Sequence, residues 1–261
     1  NPHGFDFYDP EGITYIGNGQ FVLAEERERR LVKFTYAAGT TLTRAAAQTV
    51  DIGTFDDNTG TEGLSYDPQT NDGAIPGFIV LKEKNPIGVF QTNIDFAAGT
   101  ATNGSPSTVN STNLFNTALL GMTDVADVFA FSNIPSMIGQ PQAGNMLILG
   151  QENARIVNIS RTGQILSTLN ITADPGSPLS AADQQHEGIT MDRAGFIYVV
   201  NENGGGSIRF PELWVYGPTA QPNQAPTAVV VDNAVTALQE NLNTASPVKL
   251  GDIVVVDDGL G

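Results

Sequence analysis

Glutamate recurs in this sequence at matching places beside short apolar runs, and carboxylates that converge in this way are typical ligands of hard cations. Glu11, Glu62 and Glu187 each precede a glycine at the start of one apolar run. A second column of glutamates stands at the end of the following run: Glu26, Glu83, Glu152 and Glu202. Calcium takes carboxylate oxygens and tolerates irregular geometry. The pattern therefore predicts a Ca²⁺ site whose first ligands are Glu11, Glu62 and Glu187.

The two columns meet if the apolar runs are antiparallel strands, because one strand starts at the edge where the next one ends. The pairs expected on this ground are Glu11 with Glu26, Glu62 with Glu83, and Glu187 with Glu202. The third repeat keeps Glu152 but has Ala126 and Asp127 where the others have Glu and Gly. We expect Asp124 or Asp127 to complete the ligand set there.

Carboxylates brought so close repel one another and raise each other's pKa values unless a positive charge neutralises them. Arg27, Lys82 and Lys84 are basic side chains near them in the sequence, and a bound cation would serve equally well. Another interpretation is that these acids cap turns or join neighbouring repeats by hydrogen bonds. His186, beside Glu187, is a candidate general base, although a single histidine near a turn is more often inert.

Short β-rich runs bounded by Gly, Asn, Asp and Pro occur along the whole chain, which predicts an all-β protein. The clearest runs are "FVLAEE" (Phe21–Glu26), "GFIVLKE" (Gly77–Glu83), "NMLILGQE" (Asn145–Glu152) and "FIYVVNE" (Phe196–Glu202). Each carries several consecutive apolar residues, which indicates a strand that is covered on both faces. Sheets must therefore pack on sheets.

Four segments follow one template of strand, turn, strand, turn and strand. They begin "DPEGITYIG", "GTEGLSYDP", "DVADVFAF" and "QHEGITMD", about 50 to 65 positions apart. Repeated antiparallel sheets with both faces buried favour a β-propeller, with the "EG" strand innermost. A β-sandwich is the alternative, but it does not explain the repeat.

The composition limits the partners that this chain can have. Acidic residues outnumber basic ones 28 to 12 among 261 residues, for a formal charge of −16, so nucleic acid is disfavoured. Cysteine is absent, which excludes disulfides and thiolate sites. No apolar stretch is long enough for membrane insertion, and the N-terminus lacks the features of a signal peptide. We expect a mature or trimmed piece of a secreted or cell-surface protein.

The composition changes near the end of the chain. Residues 220–226, "AQPNQAP", have the Pro, Gln and Asn content of a linker. Residues 227–261 form a β-rich segment too short for a core of its own. The expected organisation is a propeller over residues 1–219, a linker, and the start of a second domain.

The repeats resemble the SdiA-regulated family of bacterial β-propellers, which are distantly similar to NHL-repeat proteins. The resemblance is carried by "DPEGITYIGNGQFVLAEER", "EGLSYDP" with "FIVLKEKNPIGVF", "LILGQENARIVNI" and "HEGITMDRAGFIYVVNE". It implies five blades, a bound calcium ion held by acids such as Glu11, Glu62 and Glu187, and no established enzymatic activity. It also implies that the first blade is incomplete here, with "GFDF" (Gly4–Phe7) as its last strand.

The tail resembles the opening of the cadherin-like domains of large secreted bacterial adhesins. The stretches "APTAVVVDN", "LQEN" and "VVVDDGLG" carry this resemblance. It implies an Ig/cadherin-like fold and calcium ligands at Glu240, Asp257 and Asp258.

Two functions follow as hypotheses. One is a calcium-binding module in adhesion or scaffolding, whose partner is a glycan, a polypeptide or a matrix component. The other is a calcium-dependent phosphoesterase similar to propeller phytases, in which the metal binds phosphate and activates water. Twelve Lys and Arg in total leave few for a phosphate pocket, which favours the binding module.

Overall fold

The computed structural model describes residues 7–173, 176–202 and 211–218, and two further strands at 228–232 and 252–256. The chain divides into two compact units, Asn1–Tyr216 and Gly217–Gly261. Within the described residues, no helix is long and apolar enough to cross a membrane.

Four antiparallel sheets, here called blades 1 to 4, follow one another along the first unit. Blade 1 contains β1 (Pro10–Gly17), β2 (Gln20–Glu25), β3 (Arg30–Thr35) and β4 (Gln48–Asp51). Blade 2 contains β5 (Thr61–Tyr66), β6 (Gly77–Lys82), β7 (Gly88–Asp95) and β8 (Thr100–Ala101). Blade 3 contains β9 (Asp127–Ala130), β10 (Met146–Gly150), β11 (Arg155–Ile159) and β12 (Ile165–Asn170). Blade 4 contains β13 (His186–Met191), β14 (Ile197–Asn201) and β15 (Leu213–Tyr216).

Short 3-10 turns in the connections are the helical elements of the described residues. They span Arg44–Ala46, Pro68–Thr70, Thr117–Leu120, Phe131–Asn133, Pro135–Met137, Pro141–Gly144 and Ala182–Gln184. In the second unit, β16 (Ala228–Asp232) pairs with β17 (Asp252–Val256) in antiparallel fashion. The predicted ligands Glu240, Asp257 and Asp258 lie outside the described residues.

The prediction of an all-β, propeller-like architecture is confirmed, and the described residues form four blades. The four predicted runs coincide with β2, β6, β10 and β14 to within two residues at either end. A fourth strand that the sequence template lacked completes blades 1, 2 and 3. These added strands β4, β8 and β12 are short or largely exposed, which explains why no apolar run marked them.

Alternate residues of the middle blades enter two different cores, so both faces of these sheets are buried. In β6, Phe78 and Val80 pack against blade 1, whereas Ile79 and Leu81 pack against blade 3. Successive side chains of a strand point to opposite faces, so a run without polar residues serves two interfaces at once. A third core joins blades 3 and 4 through residues such as Leu149 and Val199.

The first strands of consecutive blades lie side by side, as the propeller hypothesis requires: β1 beside β5, β5 beside β9, and β9 beside β13. The glycine of the "EG" motif makes this approach possible. A Cβ on Gly12 would lie 2.5 Å from the carbonyl oxygen of Glu62, and one on Gly63 would lie 2.7 Å from Cα of Asp127. These glycines are therefore strand residues at which neighbouring blades come into contact.

Blades 1 and 4 each have one apolar face that no neighbouring blade covers among the described residues. On blade 1, Ile13 is 57% and Tyr15 50% exposed. On blade 4, Val200 is 44% and Leu213 60% exposed. Core-forming strands normally bury such residues, so these two faces differ from all the interfaces between consecutive blades.

Candidate metal centre

The beginnings of the inner strands surround a cavity of about 620 Å³, here called the acidic pocket. Its lining includes nine acidic side chains among the described residues: Asp9, Glu11, Glu26, Glu62, Glu83, Glu152, Asp183, Glu187 and Glu202. Seven of the nine site residues expected in the propeller repeats thus line one cavity, and two do not. Carboxylates from every blade meet there because each blade turns the beginning of its inner strand towards the acidic pocket.

Glu26, Glu62 and Glu83 form one close group of these acids, with one carboxylate oxygen from each lying within 4.8 Å of the others. Glu26 also forms a second group of this kind with Asp9 and Glu11. The hairpin argument therefore places Glu11 with Glu26 and Glu62 with Glu83 correctly. The structure adds that Glu26 of blade 1 joins the pair of blade 2.

Close packing at Gly60 brings blade 1 to blade 2 at this point. Its Cβ, if present, would lie 2.2 Å from the carbonyl oxygen of Glu26. That oxygen accepts hydrogen bonds from the N–H groups of Thr61 and Arg29, and the carbonyl of Gly60 accepts one from the N–H of Glu83. Backbone contacts therefore hold the Glu26 and Glu83 segments against the start of β5.

Burial and mutual repulsion make these acids hard to ionise together. Burial, followed by the charges of Glu11, Glu26, Glu83 and Glu187, raises the pKa of Glu62 to about 10. Burial raises the pKa of Glu187 to about 8, with Glu11 and Glu202 adding to the effect. The pKa values of Glu11 and Glu26 rise to about 7, again chiefly through burial. Without a cation, part of the pocket would remain protonated at neutral pH.

The basic side chains of the pocket are already engaged. Arg27 lies with its Nε 3.0 Å from the Asp9 carboxylate, and Lys84 with its Nζ 2.5 Å from Glu83 and 3.7 Å from Glu152. Lys82, the third candidate from the sequence, lies elsewhere and pairs with Asp56 at 3.1 Å. Two cations against nine acids leave a large excess of negative charge in the described lining.

Asp124 and Asp127 are placed differently from the other predicted ligands. Both carboxylate oxygens of buried Asp124 accept the N–H of Glu152, at 3.0 and 3.2 Å. Asp127 occupies the position of the motif glycine and accepts the N–H groups of Leu64, Val128 and Ile189, at 3.3, 2.8 and 2.9 Å. Its carboxylate therefore links β9 to the inner strands of both neighbouring blades, whereas Ala126 lines the pocket.

His186 faces away from the acidic pocket. It is fully buried, and its ring lies 4.6 Å from that of Trp214, centroid to centroid. Burial lowers the pKa of its imidazole to about 4. The pairing of β13 with β14 shifts register between His186 and Gly188, and there Glu187 lines the pocket while the imidazole enters the core. This position does not suit a general base acting in the pocket.

The sequence argument missed two acids and several neutral donors of the pocket. Asp9 lies two positions before the first motif glutamate, and Asp183 lies in the turn before β13. Asn58, Gln151 and Gln185 supply amide groups. Asp9 corresponds in the third repeat to Asp124, which stands two positions before Ala126, so a signal for it was present in the sequence. Asp183 has no counterpart in the other repeats.

The donor set suits a hard cation. Every acid supplies oxygen, and Oε2 of Glu83 is buried without a hydrogen-bond partner among the described residues. A buried carboxylate oxygen is normally satisfied, so an orphan within this acid group is suited to a metal ligand. Irregular oxygen sets of this kind fit Ca²⁺ better than Mg²⁺, which demands near-octahedral geometry.

A second cavity, here called the opposite pocket, lies at the other ends of the same inner strands. Its volume is about 580 Å³. Its lining is mostly apolar or neutral: Tyr15, Ile16, Gly17, Tyr66, Pro68, Phe129, Ser132, Asn133, Ile134, Pro135, Ile138, Thr190, Met191, Asp192 and Arg193. The Asp192 carboxylate accepts hydrogen bonds from the N–H groups of Ala194 and Phe196 and from the hydroxyl of Tyr198.

Comparison with known proteins gives a family and several distant structures. The family model described as SdiA-regulated matches residues 3–204. A PQQ-bound aldose sugar dehydrogenase from Streptomyces coelicolor is 11% identical, covering 80% of this chain and 68% of that one, with a TM-score of 0.44. A putative oxidoreductase (glucose dehydrogenase) from Thermus thermophilus is 12% identical, covering 81% and 62%, with a TM-score of 0.41.

A protein from Lactobacillus plantarum is 14% identical, covering 86% of this chain and 61% of that one, with a TM-score of 0.39. This chain thus spans less than two thirds of the length of two of these three structures. The likenesses are too distant to carry an activity over.

Proposed function

Starting from the fact that this chain belongs to the SdiA-regulated family, we propose that its propeller is a calcium-binding module of a secreted or cell-surface protein. The module acts in adhesion or as a scaffold, and its partner is a glycan, a polypeptide or a matrix component. Calcium neutralises the acidic pocket and so fixes the inner strands of the blades relative to one another.

One observation carries the calcium proposal: carboxylates of all four blades line one pocket, with Glu26, Glu62 and Glu83 grouped within 4.8 Å. These three would hold the ion. Glu11, Glu187 and Glu202, together with Asp9, would surround it, while Glu152 remains paired with Lys84. Asp124 and Asp127 would support the site through backbone N–H groups.

Calcium titration of wild type and variants by calorimetry tests the assignment. Glu62→Gln keeps the shape of the side chain but removes a charge, so the calcium affinity should fall about tenfold or more. Asp72→Asn is the matched control, because Asp72 is exposed in the connection between β5 and β6. Chelation should also lower the melting temperature of the wild type, by linkage.

An unchanged affinity in Glu62→Gln, or a melting temperature indifferent to chelation, would show that the pocket is not a calcium site. The same samples distinguish the phosphoesterase alternative, which requires turnover of a phosphate ester. The pocket lining disfavours that alternative, because Arg27 and Lys84 are both paired with acids and a phosphate would face the remaining negative charge.

For the fold, we propose a fifth blade between blades 4 and 1, in addition to the four blades of the described residues. Its support is the pair of exposed apolar faces, with Ile13 and Tyr15 on one side and Val200 and Leu213 on the other. A four-stranded sheet inserted there would cover both faces as the other blades cover each other. An experimental structure in which a longer chain leaves Tyr15 and Val200 exposed would contradict it.

The second unit is proposed to be the start of a cadherin-like domain. Its support is the tail resemblance together with the antiparallel pairing of β16 and β17. Such a domain in the same chain as the propeller accords with a location outside the cell.

A further inference from the structure

Buried positive charge lies between blades 1 and 2, in a part of the molecule that the calcium proposal does not use. Arg29, in the turn between β2 and β3, is only 1% exposed. One of its terminal nitrogens, Nη1, donates to the carbonyl oxygens of Thr108 and Val109, at 3.3 and 2.6 Å. Its Nε is buried without a hydrogen-bond partner among the described residues.

The packing around Arg29 is too close to be accidental. A Cβ on Gly53 would lie 2.2 Å from the guanidinium carbon, so only glycine lets the side chain cross this backbone. The Arg29 carbonyl in turn accepts the N–H of Ile52 at 2.9 Å. The guanidinium is therefore held in one place, and its Nε cannot turn towards solvent.

The charges near Arg29 do not balance. Lys82 is also buried and pairs with Asp56 at 3.1 Å. Although burial opposes it, the Thr59 hydroxyl, Lys82 and Arg29 together lower the pKa of Asp56 below its usual range, so this carboxylate stays ionised. One carboxylate facing two cations leaves an excess of one positive charge. An uncompensated buried charge is costly, and such sites normally hold a counter-charge.

A small cavity lies beside this charge. Its volume is about 20 Å³, which is enough for one particle the size of a water molecule and too little for sulfate or phosphate. Arg29, Lys82, Ser111 and Asn113 are among its lining residues. The hydroxyl of Ser111 is a second buried polar group without a partner among the described residues.

Donors predominate among the free groups around the cavity, although Asn110, which also lines it, carries a carboxamide with both a donor and an acceptor. The side-chain oxygen of Asn113 accepts the N–H of Val89 at 2.9 Å, so its amide nitrogen is the group left to donate. Nε of Arg29 can only donate, and the Ser111 hydroxyl can turn to do so. A water molecule would leave the excess positive charge of Arg29 and Lys82 uncompensated, whereas a monoatomic anion takes the donors and balances the charge.

From the cavity, its donors and the excess positive charge, we propose that Arg29, Ser111 and Asn113 bind one halide ion, chloride under ordinary conditions. The ion fastens the connection between β8 and β9 to the turn of blade 1 that carries Arg29. It is a structural anion site inside a strongly acidic protein, separate from the acidic pocket.

Bromide tests this proposal directly, because its anomalous scattering separates it from water. Crystals of the whole chain soaked in sodium bromide should show an anomalous peak in the cavity lined by Arg29 and Ser111. A water molecule there without anomalous signal, or an empty cavity, would overturn the proposal.

Melting experiments at constant ionic strength give a second test. Replacing gluconate by chloride or bromide should raise the melting temperature by about 3 °C or more, since only the folded chain binds the ion. Ser111→Ala should reduce the halide-dependent increment, and Arg29→Gln should abolish it. Ser167→Ala and Arg193→Gln are the controls, because these side chains lie away from the cavity.

A wild-type melting temperature that is the same in halide and gluconate would refute the site. If Arg29→Gln does not fold, Ser111→Ala together with the bromide peak still decides the question. An equal halide increment in Ser111→Ala and Ser167→Ala would show that the serine does not bind the ion and would remove this assignment.

Discussion

The two ends of the inner strands face different chemistry although they belong to the same strands. The beginnings carry the motif glutamates and surround the acidic pocket, whereas the ends carry residues such as Tyr15, Tyr66 and Met191 and surround the opposite pocket. The two cavities are similar in volume, at about 620 and 580 Å³. The repeat therefore concentrates negative charge at the beginnings of the strands, where a glutamate recurs, and not at their ends.

Close approach of the strands is the condition for the acidic end. At Gly63, backbone atoms of Asp127 and the side chain of Leu81 leave no room for a Cβ. The same strand ends at Tyr66, whose N–H donates to the Thr14 hydroxyl at 2.9 Å. At that end the Thr14 side chain joins the blades, whereas at the acidic end the backbones also touch, in addition to the link through the Asp127 carboxylate. The comparison predicts that the acidic end is less tolerant of added atoms.

The largest effect is expected from Gly63→Ala. The new Cβ would lie 2.7 Å from Cα of Asp127, and backbone cannot move away as a flexible side chain can, so the protein should lose about 2–3 kcal/mol of stability. Urea unfolding measures the change. Gly144→Ala is the control, because a Cβ there would meet only Arg161 side-chain atoms at 3.8 Å or more. Equal losses in the two variants would contradict the role assigned to Gly63.

The second effect is a dependence of stability on pH in the calcium-free protein. Folding raises the pKa values of Glu11, Glu26, Glu187 and Glu62 from 4.5 to between about 7 and about 10. A raised pKa favours the folded state below the unfolded value, and this contribution is lost as the pH rises through the folded value. Stability should therefore fall between about pH 5 and pH 10, by about 2 kcal/mol after allowance for solvent screening.

Melting curves with and without calcium across this pH range separate the contributions of the acidic pocket and the opposite pocket to stability. Calcium should restore most of the loss at high pH, because a cation favours the ionised acids. Glu62→Gln should flatten the dependence, whereas Asp72→Asn should leave it intact. The opposite pocket should contribute nothing in this range, since hydrogen bonds to Asp192 outweigh its slight desolvation and hold its pKa below the usual value. A flat profile in calcium-free wild type would refute the electrostatic account of the acidic pocket.

Much of the fold could be predicted because apolar runs and turn residues recur in register. The run "GFIVLKE" becomes β6 almost to the residue, since its four consecutive apolar residues Phe78–Leu81 leave no choice of face, and Lys82 at the end of the strand is buried as well. Blade number is a different matter. The number of blades depends on whether another blade covers the outer faces of β1 and β14. An apolar face has the same sequence pattern whether it is covered or exposed.

The acidic pocket was predicted as a group but not residue by residue. Glu11 and Glu26 follow from hairpin geometry, which depends only on chain direction. The role of Asp127 depends on which backbone N–H groups it faces, and those belong to other blades, at Leu64 and Ile189. Spacing along one repeat contains no information about them. The orientation of His186 likewise depends on a local feature, because the register of β13 against β14 shifts between His186 and Gly188 and interrupts the strand alternation.

The smallest predicted effect comes from removing one positive charge at the acidic pocket, in comparison with the same removal at the opposite pocket. Lys84 lies 2.5 Å from Glu83, so it competes with a calcium ion for that carboxylate. Lys84→Gln should therefore raise the calcium affinity about two- to fivefold, which corresponds to less than about 1 kcal/mol because the lysine is partly exposed. Arg193→Gln removes the same charge at the opposite pocket and should leave the affinity unchanged. Calorimetry of both variants at low salt measures the difference, and a weaker affinity in Lys84→Gln would mean that the lysine positions Glu83 for the ion instead of competing with it.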